Sequence, residues 1–185
     1  MPKYVALLRA INVGGHTVRM DYLRSLFEAL AFSGVETFIA SGNVIFDSTS
    51  RNTKTLEKKI EHHLREALGY EVATFIRTIA ELEAIARYRP FTETELKAEG
   101  HSLYIGFVAE PPGDEAKERL RALTTEVDDF HLDGRELYWL RRAKISDSEV
   151  SPAALSRALA RPLTLRNSTT VRKIAAKYRP QGARR

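Results

Sequence analysis

The sequence predicts an α+β protein in which a ferredoxin-like half, β-α-β-β-α-β, is followed by a second, similar α+β half and a C-terminal helix. Three observations lead there. Segments with a two-residue apolar period alternate with segments of helical period in an order that nearly repeats. Tight turn signals, Gly42 and Asp133-Gly134, fall in corresponding places in the two halves. A polar connector at 91–101 separates them, which puts one domain at 1–90 and the other at 91–185.

In chain order, Tyr4 to Val13 reads as a strand, on which alternation places Val5, Leu7, Arg9, Ile11 and Val13 on one face. Asp21 is the expected cap of a helix carrying Leu23, Leu26, Phe27 and Leu30, with Gly34 as its stop. Val35–Ser41 and Asn43–Asp47 read as a hairpin through Gly42, and Thr55–Leu68 as a helix ended by Gly69. Val72–Arg77 is the next strand. Thr78-Ile79-Ala80-Glu81 is a capping box opening a helix that stops before Pro90. In the second half, Ser102–Ala109 is a strand, Pro112–Leu123 a helix, and Asp128–Leu132 with Glu136–Arg142 a hairpin. Ser151-Pro152 starts a helix that runs to Ala160, and a last helix covers Thr169–Tyr178.

The composition is that of a globular chain of 185 residues, 43% apolar and 29% charged. No apolar run approaches the roughly 18 residues of a membrane helix, and no signal-peptide pattern opens the chain. The absence of cysteine excludes disulfides, thiolate chemistry and cysteine-held metals, and a cytoplasmic location is the expectation. His16, His62, His63, His101 and His131 show no metal-ligand spacing, so neither metal nor cofactor is expected. Residues 161–185 hold eight basic side chains and no acidic one, which points to an anionic partner for that end.

Three motifs together carry a family resemblance: Leu7-Leu8-Arg9-Ala10-Ile11-Asn12-Val13-Gly14-Gly15, Ser41-Gly42-Asn43-Val44-Ile45-Phe46 and Thr164-Leu165-Arg166-Asn167-Ser168-Thr169-Thr170-Val171. The chain resembles the bacterial domain-of-unknown-function 1697 family from about residue 3 to residue 178. That resemblance implies a two-part α+β fold and no particular activity. It also implies two departures: the family usually has glycine where this chain has Ala10, and tryptophan where it has Ser168.

The chemistry these residues suggest is anion recognition. Arg9 within a strand needs a partner or a wet cavity, since an unpaired buried charge is costly. Arg166-Asn167 leads into a helix start, where free N–H groups and the dipole favour anions, Thr170 adding a hydroxyl; plain capping by Asn167 or Ser168 is the competing explanation. Gly14-Gly15 matches neither the dinucleotide nor the Walker A pattern and reads as a turn. Ser41 and Asn43 sit at a turn beside the first strand, and Ser41 lacks the setting of a nucleophile. The expected ligand set is therefore Arg9, Asn12, Gly14, Gly15, Ser41, Asn43, Arg166, Asn167 and Thr170, with Arg172, Lys173 and Lys177 attracting a polyanion. Tyr138, Trp139, Arg141 and Arg142 mix aromatic and basic residues as nucleic-acid binders do, although alternation puts at least one aromatic in the core. Three functions fit: a non-covalent binder of a phosphate-bearing or polyanionic ligand such as nucleic acid; an enzyme acting on a small anionic metabolite in a cleft between the halves; and a protein-interaction module.

Overall fold

The computed structural model describes residues 1–39, 42–143 and 149–180. The chain divides into two compact units, one formed by Met1–Glu83 with the chain from Ile174, the other by Ala84–Lys173. Both boundaries fall inside helices.

The first unit runs β1 (Lys3–Leu8), α1 (Met20–Glu28), β2 (Ser33–Thr37), β3 (Asn43–Asp47), α2 (Thr53–Leu68), β4 (Thr74–Thr78) and the start of α3 (Ile79–Arg87). Its antiparallel sheet has the order β2-β3-β1-β4, the ferredoxin-like arrangement. Alternation sends Tyr4, Ala6, Leu8, Val44, Phe46 and Ile76 into a core with Leu23 and Phe27 of α1 and Leu56, Ile60 and Leu64 of α2. The other sheet face, with Val5, Leu7, Ile45, Phe75 and Arg77, is buried as well. The end of α7 (Ser168–Tyr178) also belongs to this unit. Tyr178 Oη donates to Glu36 Oε2 at 2.6 Å and Lys177 Nζ to the same oxygen at 3.2 Å.

The second unit repeats the plan. After α4 (Glu93–Lys97) come β5 (Ser102–Phe107), α5 (Asp114–Leu123), β6 (Asp128–Asp133), β7 (Glu136–Arg141), α6 (Pro152–Leu159) and β8 (Thr164–Asn167). Their sheet order, β6-β7-β5-β8, is the order of the first unit with each strand replaced by its counterpart. Val108, Leu120, Leu137, Trp139, Leu155 and Leu159 form its core. Inside it, Trp139 Nε1 donates to Asp128 Oδ1 at 2.8 Å, so both polar groups are satisfied out of water.

Several expectations are corrected. Strand β1 stops at Leu8, because Ala10 and Asn12 take positive φ of 60° and 56° and end the alternation. Arg9 is consequently exposed and does not interrupt an apolar face. The cap of α1 is Arg19, with Asp21 in the first turn, and α1 ends at Glu28. Gly34 instead lies in β2 at a register shift, with φ of 57°, where a Cβ would collide with the Asp47 carboxylate. Helix α2 begins earlier than expected because Asn52 Oδ1 accepts from Thr55 N–H at 3.1 Å. The connector at 91–101 holds α4, fixed by a Thr92–Glu95 capping box. Residues 164–167, expected to lead straight into a helix, form β8 first. Tyr138 and Trp139 are both buried, which removes them as a stacking surface.

Candidate functional site

The loop between β1 and α1 begins where Arg9 N–H donates to Ala73 O at 2.9 Å. From there φ alternates in sign: positive at Ala10, Asn12 and Gly14 (60°, 56° and 61°), negative at Ile11 and Val13. Gly15 follows at 86°. Successive N–H groups in such alternating conformations converge on a concavity that suits an anion. The N–H groups of Ala10, Ile11, Gly14 and Gly15 have no acceptor among the described residues. Around Gly14 and Gly15 the space is open, with nothing within 4 Å of where a Cβ would stand.

Two contacts hold the loop in shape. Asn12 Oδ1 accepts from Val18 N–H at 2.7 Å and His16 N–H donates to Val13 O at 3.1 Å. The His16 ring stacks on Tyr70, centroids 3.9 Å apart and planes 27° apart. Asn12 therefore works as a clamp. Tyr70, which no motif singled out, is a wall of the loop, and its buried hydroxyl has no hydrogen-bond partner among the described residues.

Beside the loop runs the β2–β3 connection. Leu8 N–H donates to Gly42 O at 2.8 Å, and a Cβ on Gly42 would lie 3.0 Å from Ile11 Cβ. Only glycine fits there, because φ is 75° as well. Asn43 is fully buried, its Nδ2 donating to Phe38 O at 2.9 Å, so it locks the connection from inside. Ser41 lies outside the described residues. Ile39 takes φ of 59°, uncommon for a β-branched residue, and is half exposed. Three non-glycine residues with positive φ thus border one end of this sheet.

The loop's charges differ in availability. Arg19 is held by Asp21 through Nε and Nη2 at 3.2 and 2.8 Å. The Tyr22 N–H first, then Arg19, hold the Asp21 carboxyl below the usual carboxylate range. Arg9 is exposed and has no ion-pair partner among the described residues.

The remaining candidates lie elsewhere. Arg9, Asn12, Gly14, Gly15, Asn43 and Lys177 belong to the first unit; Arg166, Asn167, Thr170, Arg172 and Lys173 belong to the second. Arg166 is buried, with Nη1 donating to Thr164 Oγ1 and Leu165 O, both at 2.8 Å. Burial pushes its guanidinium down to about 10. Asn167 Oδ1 accepts from Thr169 N–H at 2.9 Å, an act of capping. Ser168 is buried, with its Oγ 3.3 Å from Arg172 Nη2. Thr170 is half-buried, while Arg172 and Lys173 are exposed. Lys177 is paired with Glu36. Among the described residues no cluster of histidine and carboxylate side chains could hold a metal, and no helix is long and apolar enough to cross a membrane.

Comparison with known proteins bears on fold and family. Residues 1–138 match the family described as "Protein of unknown function (DUF1697)". A similar fold is found in the solved structure of conserved bacterial protein SP0830 from Streptococcus pneumoniae. It aligns over 97% of this chain and 99% of that one, with a TM-score of 0.77 and 23% identity. The curated proteins give no match.

Proposed function

The chain belongs to the DUF1697 family of proteins of unknown function, and from the loop geometry of this member we propose that it is a non-covalent binder of a phosphate-bearing ligand. The observation that carries this reading is the alternating φ of residues 10–14, beside which the N–H groups of Ala10, Ile11, Gly14 and Gly15 have no acceptors among the described residues. Phosphate oxygens would take hydrogen bonds from these amides, and the exposed Arg9 would supply the charge. Asn12, Asn43 and Gly42 would hold the loop in its receptive shape. Arg166, buried in the second unit, is held there by Thr164 Oγ1 and Leu165 O. A polynucleotide is one source of such phosphates, and Arg172 and Lys173 would then add long-range attraction.

The test is a titration of the 15N-labelled protein with inorganic pyrophosphate, and in parallel with a short single-stranded oligonucleotide at low and moderate salt. Saturable shifts of the Ala10, Ile11, Gly14 and Gly15 amides are expected, weakened at least fivefold by Arg9→Ala. Unmoved amides with either probe would sink the proposal. Shifts with pyrophosphate alone would restrict the ligand to small phosphates.

A further inference from the structure

The second unit carries a cavity that the reading above does not use. It lies between α5 and the edge strand β6, has a volume of about 320 Å³, and is lined by Lys117, Leu120, Arg121, Thr124, Phe130 and Leu132 among others. That volume is at the small end of ligand pockets. Alternation along β6 turns Phe130 and Leu132 toward the helix-covered face, where both pack on the apolar cluster. Phe130 is further held by stacking on Trp139, ring centroids 6.0 Å apart. With Leu120 these residues make an apolar floor.

The rim carries two cations. Lys117 and Arg121 stand one turn apart on α5, so their side chains lie over the same stretch of groove. Lys117 Nζ pairs with Asp114 at 3.1 Å and Arg121 Nη1 with Glu118 at 2.8 Å. All four side chains are more than half exposed, and such surface pairs contribute little and are screened by salt. Turning either cation toward a ligand therefore costs little. Because the two acids remain close, the four side chains carry no net charge, and the rim suits one carboxylate better than a phosphate dianion.

The edge strand adds a main-chain donor. Asp128 N–H is taken by Thr125 Oγ1 at 3.0 Å and Phe130 N–H by Asp129 Oδ1 at 2.9 Å. Both face away from β7, so the strand's edge is sealed against a pairing strand over this stretch. Leu132 N–H points the same way by alternation, and Leu132 lines the groove. We infer that the α5–β6 groove is a binding site for a small amphipathic carboxylate. Its carboxyl is taken by Lys117, Arg121 and the Leu132 N–H, and its hydrocarbon body lies on Leu120, Phe130 and Leu132.

The chain contains its own reporter, since Trp139 is its single tryptophan and Phe130 lies between the groove and that ring. The full chain is titrated with octanoate and with octanol, following Trp139 emission and, independently, heat by calorimetry. Saturable binding of octanoate is expected, at least tenfold tighter than that of octanol. A Lys117→Ala/Arg121→Ala double variant should lose that tenfold preference while keeping wild-type circular dichroism, and Lys117→Arg should retain it. Equal binding of octanol and octanoate, an unaltered preference in the double variant, or the absence of binding heat would each overturn the assignment.

Discussion

Arg77 and Arg166 occupy the same position in the two units. Arg77 of β4 stands opposite Val5 of β1, and Arg166 of β8 stands opposite Ile105 of β5, the counterpart of β1. Each turns Nη1 back onto the carbonyl of the residue before it, at 2.9 Å on Ile76 and 2.8 Å on Leu165. Each is followed by one residue whose side chain accepts an N–H of the next helix. Thr78 Oγ1 takes Glu81 N–H at 3.1 Å, and Asn167 Oδ1 takes Thr169 N–H at 2.9 Å. The two units thus share a buried structural device that their sequences barely display.

The first prediction follows from that burial. Arg166→Ala removes a donor from Thr164 Oγ1 and Leu165 O and leaves a void, so it should destabilise the chain by roughly 2–4 kcal/mol. Pyrophosphate affinity of the folded variant should stay at the wild-type value. Urea unfolding and titration of the same sample separate the two effects. A loss of affinity with unchanged stability would return Arg166 to the ligand.

Ala10 gives a prediction of opposite sign. It is held at φ of 60°, a conformation that costs a side-chain-bearing residue roughly 1–2 kcal/mol and glycine almost nothing. Ala10→Gly should therefore raise stability by about 0.5–1 kcal/mol, after the extra chain entropy of glycine is deducted. A rise in the urea midpoint with unchanged slope is the expected result.

Acid should act on Glu95. Its carboxylate accepts from Arg142 Nη2 at 2.8 Å, Thr92 N–H at 3.0 Å and Thr92 Oγ1 at 2.9 Å. The Arg142 guanidinium first, then the two Thr92 donors, bring it down to about 2 from the ordinary 4.5. The folded value lies below the unfolded one, so this contribution is complete above about 4.5 and is lost as pH falls toward 2. Glu95→Gln should flatten the stability profile in that window and leave the profile above pH 5 parallel to wild type. Urea midpoints measured from pH 6 to pH 2 provide the comparison.

The pair in the second core offers a fourth prediction. Asp128→Ala leaves Trp139 Nε1–H without its acceptor in a dry environment, at a cost of roughly 1–3 kcal/mol. Trp139 emission should shift in the folded variant, since the carboxylate beside the indole is gone. An unshifted spectrum and unchanged midpoint would mean that the bond contributes nothing.

Much of the fold was readable because periodicity reports burial. The helix stripes Leu23-Leu26-Phe27 and Leu56-Ile60-Leu64 and the hairpin through Gly134 all lie where the pattern put them. What escaped was governed by backbone sign and by tertiary pairing. Nothing in Arg9-Ala10-Ile11-Asn12 announces positive φ at Ala10 and Asn12, so the apolar alternation carried β1 five residues too far. Strand β8 is four residues long and has no turn signal before α7; only its pairing with β5 makes it a strand. At the candidate site, Gly14-Gly15 marked the turn correctly. The His16–Tyr70 stack joins residues 54 positions apart with no local signature.

The end of α7 has a consequence for how the protein is made. Glu36 lies on an edge strand of the first unit, and its partner Tyr178 is added 142 residues later. During synthesis the first unit leaves the ribosome before the segment from Ile174 exists, while the second unit is still being completed. The nascent first unit therefore waits without the α7 contacts of Glu36 on β2 and of Phe38 just beyond it. Its last contacts are made only after translation of the second unit has ended.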